Sequence, residues 1–289
     1  MSDVTGATLL RGFEAHVAQI GGLRTRYWVG GEGPPLVLVH GLAGAAYNFT
    51  DLAPLLAQRH RVLVPDLPGH GGTEPLENVE SLGDLAAHVA AVAEHERMSP
   101  AAVLGYSLGG IVAIRLAAER PRSVHRLVVV ASAGIVSTTR RAKLWLGITT
   151  ALRPARLVAR ARGTVARRPN LRALVFGGWG AENPRALPPD AVVGFLEAQP
   201  EHTDIRSAST ALVVDDPRPY LHRVRCPAVV VWGARDRLTP LEDGFELARG
   251  LRAPLRTLPA AGHLLVGEWP EECARLVLDF LGASGDAPV

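Results

Sequence analysis

Short apolar runs separated by helical periodicities set the rhythm of this chain. Leu36-Val37-Leu38-Val39, Val62-Leu63-Val64, Ala102-Val103-Leu104, Leu127-Val128-Val129-Val130 and Val229-Val230-Val231 are continuous rather than alternating, as expected of strands buried on both faces. Amphipathic helical segments fall at 51–59, 82–97, 108–120, 241–251 and 271–281. Buried strands alternating with helices predict an α/β architecture, a doubly wound and mostly parallel sheet covered on both sides. Ahead of it, 13–20 and 23–29 are separated by Gly21-Gly22 and closed by Gly30-Gly31, and read as an opening hairpin. A last strand is expected at 255–258.

The alternation stops between residues 135 and 216. That stretch carries helical patterns, 141–152 and 189–197 among them, broken at Pro154, Pro169 and Pro184, and holds no buried-strand run. An excursion that leaves after one strand and returns to the next is a cap. It divides the chain into a core of residues 1–134 and 217–289 and a helical cap (lid) of residues 135–216.

With 289 residues, 47% of them hydrophobic and 20% charged, the chain is long enough for one core domain with such an insertion and lies far from the composition of disordered segments. No apolar run reaches the roughly 18 residues that span a bilayer, and the first residues lack the basic and apolar regions of a secretion signal, so a cytoplasmic location is expected. Two cysteines, Cys226 and Cys273, are too few for a disulfide framework or a metal site and are expected as free thiols. The formal net charge is +3 and Lys143 is the only lysine; this balance implies no nucleic-acid partner. Its distribution is uneven, because residues 137–188 are rich in arginine and hold one acid, Glu182. Such a face is either simply solvated or meets an anionic substrate or membrane surface.

Chemistry enters at Gly105-Tyr106-Ser107-Leu108-Gly109-Gly110, between a predicted strand and a predicted helix. A turn this tight forces its central residue into strained backbone geometry, and Gly105 and Gly109 let helix and strand approach. The strain lifts the Ser107 hydroxyl above the strand ends, where the helix N-terminus offers unpaired N–H groups and a partial positive charge. Ser107 is therefore a candidate nucleophile, and the backbone N–H of Leu108 a candidate oxyanion donor. Isolated five-residue matches also occur in ordinary glycine-rich turns; the strand before and the helix after distinguish this one. A second donor is expected at Leu42, in the loop His40-Gly41-Leu42-Ala43-Gly44 after the first buried strand. Preorganised donors of this kind are commonly worth ~3 kcal/mol each. His40 itself reads as a side chain that satisfies loop backbone groups rather than as a base.

A serine hydroxyl needs a base, and the base needs a carboxylate that fixes its tautomer. Among the ten histidines, His16, His60, His88, His95, His125, His202 and His222 fall in helical or edge segments and read as surface or packing residues. His263 instead comes after the last strand, in a loop before the closing helix. Asp236 comes after 229–231 in Trp232-Gly233-Ala234-Arg235-Asp236, at the kind of strand end where open α/β sheets bind ligands. Taken alone it is as readily a cap for the next helix. Its rivals are weaker: Asp215 and Asp216 end the cap, and Asp66, in Pro65-Asp66-Leu67-Pro68-Gly69-His70-Gly71, reads as a turn-stabilising side chain.

Four separated motifs now stand in order: His40-Gly41-Leu42, the segment from Asp66 to Gly71, the segment from Gly105 to Gly110, and Gly233-Ala234-Arg235-Asp236 with Gly262-His263. Over nearly its whole length the sequence resembles the α/β-hydrolase superfamily, and within it looks most like capped bacterial serine esterases and lipases. The resemblance implies an eight-stranded sheet, a cap after the sixth strand, no cofactor, a Ser107, Asp236, His263 triad in the family's chain order, and cleavage of a carboxylic ester through an acyl-enzyme. Ser107 stands where haloalkane dehalogenases and epoxide hydrolases carry Asp. Tyr106 and Leu264 stand where meta-cleavage-product C–C hydrolases usually carry Asn and Trp. C–C hydrolysis and perhydrolysis on the same residues remain alternatives, and a non-catalytic small-molecule binding module is the alternative of another class. The expected partner is a small ester with an apolar acyl group, in a pocket bordered by Leu42, Ala43, Tyr106, Leu108, Leu238, Leu264 and Leu265. Trp145, Phe176, Trp179 and Phe195 of the cap are candidate walls, although aromatics at helical spacing more often form core.

Overall fold

The computed structural model describes residues 10–133, 158–197 and 199–282. Its strands are β1 (Phe13–Ile20), β2 (Leu23–Gly30), β3 (Pro35–Val39), β4 (Arg61–Pro65), β5 (Ala101–Tyr106), β6 (Val124–Val130), β7 (Ala228–Gly233) and β8 (Leu255–Leu258). The described helices are α1 (Leu52–Leu56), α2 (Leu82–His95), α3 (Leu108–Glu119), α4 (Arg162–Arg167), α5 (Pro169–Phe176), α6 (Pro189–Glu197), α7 (Ile205–Val214), α8 (Arg218–Leu221), α9 (Leu241–Leu251), α10 (Leu265–Glu268) and α11 (Pro270–Gly282), with a 3-10 turn at Ala46–Phe49. The strands form one sheet in the order β1-β2-β4-β3-β5-β6-β7-β8. β2 pairs antiparallel with β1 and β4, and every other pairing is parallel. The expected eight-stranded, mostly parallel sheet is therefore present.

Strand geometry explains why the central runs are apolar at every position. Successive side chains point to opposite faces. Leu36, Leu38, Val62, Val64, Leu104, Val128, Val130, Val229 and Val231 enter one apolar cluster with α1 and α11. Val37, Val39, Leu63, Val103, Leu127, Val129 and Val230 enter a second, with α2, α3 and α9. A sheet covered on both faces leaves no position for a polar side chain. α2 starts where the sequence places it because Ser81 and Asp84 form a capping box, the Ser81 hydroxyl accepting from Gly83 N–H and the Asp84 carboxylate from Ser81 N–H.

α1 is shorter than the expected 51–59. It stops at Leu56 because residues 57–60 fold against Gly31, where a Cβ would stand 2.3 Å from the His60 carbonyl oxygen and 2.4 Å from that of Ala57. Between β6 and β7 lie α4 to α8. The expected helix at 141–152, and Trp145 with it, lies outside the described residues. α6 rests on the 3-10 turn so closely that a Cβ on Gly194 would lie 2.4 Å from the Tyr47 carbonyl oxygen. α7 packs on α2 and contributes Ala208 and Ala211 to the second cluster. At its end the Asp215 carboxylate accepts from Leu82 N–H and from Arg115. No helix among the described residues is long and apolar enough to cross a membrane.

The strand order reverses at β3, with β4 on one side and β5 on the other. A crevice opens at such a switch point, outside the carboxyl ends of the two diverging strands. The loop after β3 begins at His40, and Ser107 comes directly after β5.

Candidate active site

Ser107 is the single residue between β5 and α3, with φ 54° and ψ −119°, a conformation that costs a non-glycine residue on the order of 1–3 kcal/mol. Its surroundings hold it there. Its N–H donates to the Val130 carbonyl at 3.0 Å, and its carbonyl accepts from Gly110 N–H at 2.9 Å and Ala133 N–H at 3.0 Å. The turn closes only around glycine, since a Cβ on Gly105 would stand 2.1 Å from the Gly109 carbonyl oxygen and one on Gly109 2.1 Å from that of Val39.

His263 reaches Ser107 from the loop after β8. Its Nε2 lies 3.1 Å from Ser107 Oγ and its Nδ1 2.8 Å from Asp236 Oδ2. With Nδ1–H donating to the carboxylate, Nε2 is left to accept the serine proton. The side chains of His263 and Asp236 are both buried. Asp236 Oδ1 accepts from the N–H groups of Leu238 and Thr239, each at 2.8 Å, and Oδ2 also accepts from the Thr239 hydroxyl at 2.6 Å. Burial works to raise the Asp236 carboxyl, but the adjacent imidazole and the Thr239 donors outweigh it and hold it below its ordinary value. The two loops are laced together beneath these side chains. Arg235 N–H donates to the Ala261 carbonyl at 3.0 Å, and a Cβ on Gly233 would fall 2.4 Å from the carbonyl oxygens of Ala261 and Gly262.

On the other side of Ser107, a Cβ on Gly41 would sit 3.1 Å from Ser107 Cβ and 3.5 Å from Oγ. The Gly41 carbonyl accepts from His40 Nδ1–H at 2.8 Å and from Gly44 N–H at 3.0 Å. The tautomer is set by the opposite ring nitrogen, since His40 Nε2 accepts from Leu67 N–H at 2.9 Å. Burial pushes the His40 imidazole down to about 3, so it is neutral. In a trans peptide the C=O and N–H groups point opposite ways. Two donors fixing the Gly41 carbonyl therefore fix the direction of Leu42 N–H, which has no acceptor among the described residues. Leu108 opens α3, so its N–H has no intrahelical acceptor.

Tyr106, expected at the pocket, is buried with its ring centroid 5.5 Å from that of His263 and 6.3 Å from that of Phe49, and burial pushes its phenol well above the usual range. Leu264 is buried against Gly180. Leu238 and Trp179 are exposed, the indole N–H of Trp179 donating to the Val175 carbonyl. Phe176 is fully buried between Trp179 and Phe195, in the main apolar cluster. His60 and His88 are packing residues, both buried, whereas His202, expected as a surface or packing residue, is buried with its ring on the Ala43 carbonyl. Asp66 stabilises its turn as expected, accepting from Ala46 and Gly72 N–H, and also pairs with Arg26 at 2.8 Å.

Four residues at the site escape a reading of the sequence: Thr239, Gln199, His202 and Glu268. The first has a local signal, a hydroxyl three positions after an acid. Glu268 ties the histidine loop to the segment after α5, its carboxylate accepting from Gly262 N–H at 2.7 Å and Asn183 N–H at 2.8 Å. Burial pushes its carboxyl upward, and those N–H groups partly offset it. Gln199 and His202 both donate to the Ala43 carbonyl, and nothing in the sequence links positions so far apart.

A family model described as alpha/beta hydrolase fold matches residues 34–268. The chain is 30% identical, over 96% of its length and 71% of the relative's, to the dihydrolipoyllysine-residue acetyltransferase component of an acetoin cleaving system from Pseudomonas putida. It is 32% identical, over 81% of its length and 88% of the relative's, to a pimeloyl-[acyl-carrier protein] methyl ester esterase from Chromobacterium violaceum. Among solved structures, a membrane phospholipase A described as a bacterial virulence factor is similar with a TM-score of 0.75 at 25% identity, over 96% of this chain and 88% of that one.

Proposed function

The chain belongs to the α/β-hydrolase fold family, and on that premise we propose that it is a serine esterase that cleaves a small carboxylic ester through an acyl-enzyme. The observation that carries this reading is the unbroken line from Ser107 Oγ through both nitrogens of His263 to Asp236 Oδ2. Named relatives that handle acyl groups, a methyl ester esterase and a phospholipase among them, lend support.

In the first half-reaction His263 Nε2 takes the Ser107 proton as Oγ bonds to the ester carbonyl carbon, and buried Asp236 stabilises the imidazolium. The carbonyl oxygen becomes an oxyanion between the N–H groups of Leu42 and Leu108, which need no reorganisation to meet it. Collapse breaks the bond to the alcohol oxygen, which leaves with the proton returned by His263. Water, deprotonated by the same imidazole, then attacks the acyl-enzyme and releases the acid. Helices α4 to α8 serve as the cap over this site, and Ala43, Tyr106, Leu238 and Leu264 with Trp179 border an apolar acyl pocket.

The test is turnover of a p-nitrophenyl ester series of increasing acyl length, together with stoichiometric labelling by a fluorophosphonate. Hydrolysis and labelling are expected in the wild type and lost in Ser107→Ala. A wild-type protein that turns over no ester of the series and takes no label overturns the reading.

A further inference from the structure

Ala43 holds a left-handed backbone, φ +55°, without being glycine. Its carbonyl accepts from Gln199 Nε2 at 2.5 Å and from His202 Nε2 at 2.9 Å. The histidine's tautomer is set by Gly71 N–H, which donates to Nδ1 at 3.0 Å and leaves the proton on Nε2. Burial first, and the neighbouring imidazole of His70, hold His202 down to about 3, so the ring is a neutral donor. The segment carrying these side chains is itself fastened to the core. Thr203 and Asp204 N–H donate to the Gly69 carbonyl at 3.1 and 3.0 Å, and Glu201 pairs with Arg26, which also holds Asp66.

These contacts act on the oxyanion loop through its backbone. The Ala43 carbonyl belongs to the same peptide as Gly44 N–H, and Gly44 N–H donates to the Gly41 carbonyl. The Gly41 carbonyl belongs to the same peptide as Leu42 N–H. Two peptide groups thus stand head to tail between residues 199–202 and Ser107, and hydrogen bonds in such chains polarise and strengthen one another.

We propose that Gln199 and His202 are positioning residues of the oxyanion hole, setting the orientation and donor strength of Leu42 N–H through the Ala43–Gly44 and Gly41–Leu42 peptides. The proposal rests on the esterase reading above. It makes the segment after α6 part of the machinery that meets the transition state, although neither side chain touches the reacting atoms. When that segment is docked, the hole is complete; when its two donors are removed, the Ala43 carbonyl is released and the relay loses its first link.

The experiment compares Gln199→Met, His202→Phe and the donor-retaining His202→Gln with the wild type. Readouts are kcat and KM on the best p-nitrophenyl ester, and the pH titration of the tetrahedral adduct that a 13C-labelled trifluoromethyl ketone forms on Ser107. Removing a whole oxyanion donor commonly costs a hundredfold or more, so weakening one is expected to lower kcat about tenfold in Gln199→Met and in His202→Phe, with KM within about twofold. The adduct oxyanion should titrate at higher pH in both, and His202→Gln should keep most of the wild-type rate. Folded variants with unchanged kcat, or with losses confined to KM and an unmoved adduct titration, overturn the proposal. If His202→Phe does not fold, Gln199→Met decides alone. Absence of ester turnover and label in the wild type strikes the esterase reading instead, and the proposal falls with it.

Discussion

The Thr239 hydroxyl donates to Oδ2 of Asp236 at 2.6 Å, the same oxygen that takes Nδ1–H of His263, and lies 3.1 Å from that nitrogen. With Thr239 N–H on Oδ1, one residue grips both carboxylate oxygens and prevents the group from rotating away from the imidazole. Trp232 Nε1–H in turn holds the Thr239 carbonyl at 3.0 Å. Thr239→Val keeps the shape and removes the hydroxyl donor. The expected outcome is a kcat about tenfold lower with KM unmoved, and a stability loss of about 1–2 kcal/mol, because a buried charged acceptor loses a partner. Steady-state kinetics beside urea unfolding check it, and Thr239→Ser should restore both; an unchanged kcat in the valine variant would mean that the backbone donors suffice.

The elbow makes a steric prediction. Gly105→Ala brings a Cβ to 2.1 Å from the Gly109 carbonyl oxygen, and backbone offers no flexible end that can yield. It should cost about 3 kcal/mol or more and abolish labelling of Ser107. Gly178 has nothing within 4 Å of a Cβ and no left-handed φ, so Gly178→Ala should be neutral or stabilising by about 0.5 kcal/mol. Thermal unfolding of the two variants side by side separates a steric demand from a general intolerance of substitution.

Buried histidines predict the acid limit. Burial pushes His40 and His202 down to about 3 and His88 to about 4, from the ordinary 6.5. Between those values the unfolded chain binds more protons than the folded one, so stability rises with pH there. The contribution is complete above about 6.5, falls as pH drops towards about 4 for His88 and about 3 for the other two, and is level below. Asp236, held below 3.8, loses its own contribution only as pH falls through that lower range. Urea midpoints measured from pH 7.5 down to 4 should therefore decline, and His88→Gln, which removes the ring beside Thr25, should make the decline shallower. A wild-type midpoint level over this window would contradict the assignment.

Much of the molecule is legible in its residue pattern. Val128-Val129-Val130 is apolar at three consecutive positions because alternate side chains enter opposite clusters, and that demand is written directly into the residue pattern. Ser107 was recognisable because a strand-to-helix turn of one residue has few steric solutions, and Gly105 and Gly109 are among them. Asp236 and His263 were narrowed to strand-end loops by topology, although only their meeting at Ser107 separates them from ordinary loop residues. α1 is shorter than its residue pattern implies, since the feature that stops it, Gly31 against residues 57–60, comes from outside its own segment.

Residue order alone therefore determined the buried strands, the elbow and a short set of chemical candidates, because each arises from sterics or periodicity within a few neighbouring positions. Tertiary structure decided which carbonyl or carboxylate partner each loop group reaches: Gln199 and His202 at Ala43, Glu268 at Gly262 and Asn183, Arg26 at Asp66. Those partners lie up to 159 positions apart. A polar side chain's preference for a backbone group carries no address, and the packed sheet supplies one by leaving a single partner within reach.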